Sequence, residues 1–217
     1  MVLVDTHNHI YLPEFTNDVD QVIERSAKAG VKKIFLPNID STSVQPMLTL
    51  EARYPGTCFS MMGVHPTSIK ENYQDELSLA ETWLQKHSFA GIGETGIDLY
   101  WDTSFKKEQT KAFEQHIMWA RTYRLPLIVH SRNSIPLLLE ILRPYVSKDL
   151  RGVFHCFTGN YEQAKQAMDM GFMLGIGGIV TYKNAGMDVL IRKTGISNVV
   201  LETDAPFLTP HPHRGKR

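Results

Sequence analysis

The chain has 217 residues, 42% hydrophobic and 21% charged, which is ordinary for a globular protein that buries a real core. Its 23 basic and 23 acidic residues cancel, which excludes a broad basic face and leaves only local contacts with phosphate. Two cysteines, Cys58 and Cys156, are too few for a disulfide framework and favour a reducing compartment. No charged-then-apolar leader is evident at the start and no apolar run approaches membrane-spanning length, so a cytoplasmic protein with no membrane partner is expected. No composition break divides the chain, and a single domain over 1–217 is expected.

Val2-Leu3-Val4 reads as a short buried strand running into Asp5-Thr6-His7-Asn8-His9. Alternation along a strand puts His7 and His9 on one side, where two imidazoles can hold one metal ion. By itself a His-x-His pair is a weak signal, and surface or core histidines are the commoner explanation. Thr16-Asn17-Asp18 signals a helix start, and Gly30 stops the periodic run that follows. A second strand covers Ile34-Phe35-Leu36, and a helix is expected over 43–53. The third strand begins at Cys58 and ends on His65; 77–87 is amphipathic; the fourth strand runs over 89–94 and ends on Glu94. A long helix over 105–123 leads to a fifth strand ending on His130, and 135–145 is helical. A sixth strand ends on His155. Asn160 with Gln163 resembles a capping box, and Gly171 closes that helix. The seventh strand covers 172–176, a short helix follows over 188–193, and the eighth strand runs from Asn198 to Asp204.

Eight short aliphatic strands separated by helices match a (β/α)₈ TIM barrel, with strands buried on both faces. An open doubly wound sheet is the runner-up, but its G-x-G-x-x-G fingerprint after the first strand is absent. In a barrel the strand C-termini share one rim, so His7, His9, His65, Glu94, His130, His155 and Asp204 would meet there. The eighth strand is not followed by a helix, so the sequence is expected to be part of a longer chain, with Val199 and Leu201 left uncovered.

Four histidines and two carboxylates, with no thiolate, indicate a catalytic rather than a structural metal site. Six ligands are too many for one ion that keeps an open position; they suit two ions roughly 3.5–4 Å apart that share a carboxylate. Glu94 is the natural bridge, having two oxygens to offer. Imidazole suits zinc, while carboxylates tolerate magnesium or manganese.

The set resembles the TatD family of metal-dependent deoxyribonucleases, within the amidohydrolase superfamily. The matching stretches are Asp5-Thr6-His7-Asn8-His9, Gly63-Val64-His65-Pro66, Gly93-Glu94-Thr95-Gly96-Ile97-Asp98, His130-Ser131-Arg132, His155-Cys156-Phe157-Thr158-Gly159, Glu202-Thr203-Asp204-Ala205-Pro206 and His213-Arg214-Gly215-Lys216. They run in order over the whole chain. The family pattern continues past Lys216 into terminal helices, and Asn133 stands where the family usually carries an acidic residue. The resemblance implies one ion on His7, His9, Glu94 and Asp204, and a second on Glu94, His130 and His155. It implies hydrolysis of DNA phosphodiesters from a 3′ end, on single-stranded DNA or 3′ ends, with no protein partner expected. Asp204 would orient the attacking water and take its proton, and His65, Arg132 and Arg214 would hold substrate oxygens.

Each of these residues also has a plainer reading. His65 can hydrogen-bond within its own turn, Arg132 can be a structural ion-pair partner, and Arg214 can be a solvated basic residue of a proline-broken tail. Tyr100-Trp101 can stack a base or, more simply, pack the loop after the fourth strand. Asp5 and Glu202 share strand parity with the ligands and can accept ring N–H groups or make turn hydrogen bonds. Two other functions remain open at this level: a hydrolase of a small ester, lactone, amide or aminoacyl-RNA ester, and a barrel that binds metal without catalysis.

Overall fold

The computed structural model describes residues 1–217. Its strands are β1 (Leu3–Asp5), β2 (Val31–Pro37), β3 (Cys58–Met61), β4 (Ile92–Asp98), β5 (Leu127–Arg132), β6 (Gly152–Phe154), β7 (Phe172–Ile176) and β8 (Val199–Leu201). The helices are α1 (Val19–Lys28), α2 (Val44–Arg53), α3 (Tyr73–Lys86), α4 (Lys106–Tyr123), α5 (Ile135–Leu142), α6 (Tyr161–Asp169) and α7 (Met187–Thr194). Every strand pair is parallel, in the orders β1-β2-β3 and β4-β5-β6-β7-β8. A parallel bridge between Met62 and Ile92 joins the two sheets at one seam. At the other seam the Thr6 N–H donates to the Leu201 carbonyl at 3.0 Å. The architecture is the expected (β/α)₈ barrel, with seven α-helices for eight strands. No helix is long and apolar enough to cross a membrane.

Parallel strands need helices on their outer face, and the sequence supplies them with apolar stripes. In α4, Ala112, Phe113, His116, Ile117 and Ala120 form one buried stripe, and a single cluster of 39 buried hydrophobic residues fills the molecule. The capping box at α6 is formed on both sides: Asn160 accepts from the Gln163 N–H, and the Gln163 side chain accepts from the Asn160 N–H, each at 3.0 Å.

Several expected strands differ in extent. β3 ends at Met61 rather than on His65, β5 runs past His130 to Arg132, and β6 ends at Phe154, just before His155. Val2 is 73% exposed and lies outside β1. β4 starts at Ile92 and runs through Glu94 to Asp98, all seven residues buried. A carboxylate reads as a strand stop in sequence, but imidazoles receive this one inside the barrel mouth. β8 ends at Leu201, three residues before Asp204. Its outward Leu201 is 56% exposed, as expected for an outer face with no helix packed on it.

Close backbone approach sets the spacing under the site. A Cβ on Gly96 would lie 2.0 Å from the His130 carbonyl oxygen, and the residue has φ +146°, so only glycine fits between β4 and β5 there. The chain ends also meet at this rim. The Asp204 N–H donates to the His7 carbonyl at 2.9 Å and the His9 N–H to the Ala205 carbonyl at 2.8 Å. Asn8 and Thr203 both donate to the Asp5 carboxylate.

Candidate metal centre

All six expected ligands converge at the C-terminal rim of the strands, around Glu94. This side chain is buried, and its two oxygens face different ways. Glu94 Oε2 lies 3.1 Å from His7 Nε2 and 3.6 Å from His9 Nε2. Glu94 Oε1 lies 2.9 Å from His130 Nδ1 and 3.6 Å from His155 Nε2. Asp204 Oδ1 sits on the first side, 3.8 Å from His7 Nε2 and 3.5 Å from His9 Nε2, and reaches to 4.0 Å from His155 Nε2. The His7 and His155 rings stack at 3.5 Å between centroids.

The hydrogen bonds around the rings decide which nitrogens carry protons. Tyr11 donates its hydroxyl proton to the Pro37 carbonyl, so its oxygen accepts from His9 Nδ1 at 2.9 Å. His9 Nε2 is then a bare lone pair, and it faces Glu94 Oε2, Asp204 Oδ1 and, at 3.1 Å, His7 Nε2. His130 has a carboxylate at each nitrogen, Asp98 Oδ2 at 3.1 Å from Nε2 and Glu94 Oε1 at 2.9 Å from Nδ1. A neutral imidazole has one N–H and would set lone pair against lone pair at one of these contacts; against the burial, Asp98 and Glu94 raise the ring above its ordinary pKa. Acceptors aimed at one another repel unless a cation stands among them. The nitrogen and oxygen donor set fits a divalent ion on each side of Glu94.

His65 is different. Its Nδ1 accepts the Thr67 N–H at 3.1 Å, as the cap of the turn Pro66–Ser68. The ring proton therefore sits on Nε2, which points into the site 3.5 Å from Glu94 Oε1 and 3.3 Å from His130 Nδ1. Such a nitrogen donates hydrogen bonds, so His65 satisfies its own turn with one nitrogen and addresses the pocket with the other.

The shared electrostatics show in the titrations. Burial works against a charged Glu94, but His7, His65, His155 and His130 together hold it well below the ordinary range. Burial raises Asp204 to about 6, with Glu94 and Glu202 adding to it against His155 and His9. Burial opposes a charged His155, yet Glu202, Glu94 and Asp204 raise it to about 10. Burial and His155 push His7 down.

Asp98 is the site residue that sequence reading left without a role. Burial alone would raise its carboxyl, but His130 and the backbone N–H groups of Tyr100 and Trp101 bring it down to about 2. Its strand parity with Glu94 two pleats away was the available signal, and Tyr11 shares the parity of His7 and His9 in the same way. Glu202 stands behind His155, with Oε1 3.3 Å from Nδ1 but off the line of a hydrogen bond. A Cβ on Gly175 would lie 2.2 Å from Glu202 Oε2, so a glycine makes room for that carboxylate. Asp5 takes the turn role instead, accepting from His7, Asn8 and Thr203.

A cavity of roughly 680 Å³ opens over the ligands. Arg132 lies on its wall with the guanidinium 4.1 Å from the Tyr100 ring centroid. Arg214 does not line this cavity. It lies over Tyr182, 4.6 Å from the ring centroid, in a neighbouring depression bounded by Phe207 and Leu208, which are also walls of the main cavity.

Comparison with known proteins agrees with this geometry. Residues 4–217 match the family model described as TatD related DNase. The chain is 33% identical over 217 residues to the uncharacterized metal-dependent hydrolase YabD of Bacillus subtilis (strain 168), covering 100% of this chain and 85% of the relative. It is 33% identical over 200 residues to the 3'-5' ssDNA/RNA exonuclease TatD of Yersinia pseudotuberculosis serotype O:3 (strain YPIII), covering 91% of this chain and 76% of that protein. The crystal structure of YjjV, a TatD homologue from Escherichia coli K12, superposes with a TM-score of 0.91 at 28% identity, over 99% of this chain and 83% of that one. With its buried histidine and carboxylate rim and this match along nearly its whole length, the chain belongs to the TatD family of metal-dependent hydrolases, enzymes that act on ester bonds.

Proposed function

We propose that this hydrolase is a deoxyribonuclease that removes nucleotides from the 3′ end of DNA, acting at a binuclear centre as one domain over residues 1–217. The observation that carries the reading is the division of Glu94, with Oε2 towards His7 and His9 and Oε1 towards His130 and His155. One ion would be held by His7, His9, Glu94 and Asp204, the other by Glu94, His130 and His155. Zinc, magnesium and manganese all suit this nitrogen and oxygen set. Ions bound there would neutralise charge on the phosphoryl group and lower the pKa of a water.

The protein's own groups supply the rest. Asp204 is raised to about 6, close to the working range of a general base, and takes the proton of the attacking water. The water oxygen bonds to phosphorus as the bond to the leaving oxygen breaks. His65 offers its Nε2–H to a substrate oxygen. Arg132, stacked on Tyr100, presents a cation at the cavity wall, and Arg214 meets the chain beyond the rim. The exonuclease named among the relatives supports this choice of substrate.

A 5′-labelled single-stranded oligonucleotide tests it. The metal-loaded chain should shorten it from the 3′ end and release mononucleotides. Cleavage of small esters or lactones with the oligonucleotide left intact would transfer the site to another substrate class. Glu94→Ala should lose both ions together in metal analysis; two tightly held ions in that variant would end the bridging role.

A further inference from the structure

The loop after β4 leaves two large aromatic residues in solvent at the cavity mouth. Tyr100 is 55% and Trp101 69% exposed, so the pair does not pack the loop in the way sequence alone suggests. Trp101 lines the cavity directly above the ligands. Its backbone N–H and that of Tyr100 donate to Asp98 Oδ1, at 3.2 and 2.9 Å. The other oxygen of Asp98 receives His130 Nε2. One buried carboxylate therefore sets the position of the aromatic pair relative to the metal ligands. Arg132 completes the group, with its guanidinium over Tyr100 and 5.5 Å from the Trp101 centroid. The two rings meet edge to face at 4.9 Å. Phe207, 47% exposed, also lines the cavity.

A scattered exposed aromatic needs no explanation, but an indole on the wall of a cavity lined by charged groups, beside a cation and a second ring, is a stacking surface. We infer that Trp101, with Tyr100 and Arg132 behind it, stacks an unpaired nucleobase of the substrate while the adjacent phosphate lies over the ligands. The inference rests on the nuclease reading of this site and adds how the substrate is chosen. Every base has a π-face, so the platform is tolerant of sequence. It requires a base that is free of its complement, so it favours a frayed or single-stranded end over a closed duplex.

Two substrates and two variants test it. An oligonucleotide with bases throughout is compared with one whose last two 3′ positions are abasic, on the parent chain, Trp101→Ala and Trp101→Phe. Alanine substitution at a base-stacking ring lowers affinity roughly 5- to 100-fold per base. Trp101→Ala should raise KM about 10-fold on the normal strand with kcat within twofold, and Trp101→Phe should recover most of it. On the abasic strand parent and Trp101→Ala should have equal KM. Equal KM on the normal strand as well would overturn the proposal and leave the nuclease reading intact. A second readout does not need turnover. Titrating the parent with a strand carrying phosphorothioate linkages at its 3′ end should quench indole fluorescence, and Trp101→Phe should lose that quench although Trp83 and Trp119 remain. A quench of the same size in Trp101→Phe overturns the proposal. If the metal-loaded parent cuts no strand, the nuclease reading fails, and the quench alone then decides whether Trp101 stacks a base.

Discussion

At the residue scale, the proposed mechanism gives Asp98 and Asp204 different tasks, one in holding metal and one in the chemistry. Asp98 touches no expected substrate atom; it receives the His130 N–H and so leaves the other ring nitrogen free towards Glu94. Asp98→Asn keeps an oxygen in place but removes the charge behind the imidazole. Loss of such a partner typically lowers metal affinity or activity by ~10- to 100-fold. We expect metal titration of this variant to show one weakened site and one unchanged, because His7, His9 and Asp204 lie on the other side of Glu94. Asp204→Asn should do the reverse. It should retain measurable metal and strand binding while turnover falls by roughly 10²-fold or more, the scale of a lost general base. Near-parental cleavage by Asp204→Asn with its metal in place would remove that role.

At the scale of elements, α4 reaches the site through His116. This ring is fully buried; Nδ1 donates to the Ala112 carbonyl at 2.7 Å and Nε2 accepts the Val64 N–H at 3.0 Å, next to His65. Burial lowers its pKa from 6.5 to about 4, so it folds neutral. The unfolded chain binds that proton more readily between those values. The associated stability, ~3 kcal/mol, is thus present above pH 6.5 and lost as pH falls towards 4. Urea unfolding between pH 7.5 and 4.5 should show that slope, and His116→Gln, which can keep both bonds without titrating there, should flatten it. An unchanged slope in the variant would show that another group is responsible. The order and type of the elements were legible because apolar periodicity and punctuation carry them: β7 and the α6 capping box match their expected residues. The boundaries were less legible, because charged side chains and strand ends do not coincide. Glu94 lies inside β4 and His130 inside β5, their charges received by groups far away in sequence. That six such side chains meet at one rim was legible from their recurrence near the ends of successive strands. Asp98, Tyr11 and the exposed Trp101 were not, because their roles depend on who faces them across the rim. The position of Arg214 over Tyr182 depends on the path of a loop that no periodicity describes.

Across the whole molecule, stability is unevenly distributed. Leu36 in β2 is completely buried, while Leu201 in β8 faces solvent. Leu36→Ala should cost ~2–5 kcal/mol, and Leu201→Thr should stay within ~0.5 kcal/mol of the parent. A large loss from Leu201→Thr, measured by urea unfolding, would mean that its outer face is covered in solution. Ligand binding should act on the whole barrel. Any ion held by the folded rim and not by the unfolded chain adds stability as the logarithm of one plus the ratio of free ion to its Kd. Adding a chelator should therefore lower the single melting transition rather than split it.

The meeting of β1 with the segment after β8 at the rim has a consequence for synthesis. His7 and His9 emerge from the ribosome well before Asp204, with β2 to β7 made in between. Until that residue arrives, the His7 carbonyl and the His9 N–H lack the partners that Asp204 and Ala205 provide. A nascent chain can thus expose two metal-binding imidazoles for most of its translation without a competent site. The rim stays incomplete until the segment after β8 has been made, and a hydrolase built this way cannot act before its first and eighth strands have met.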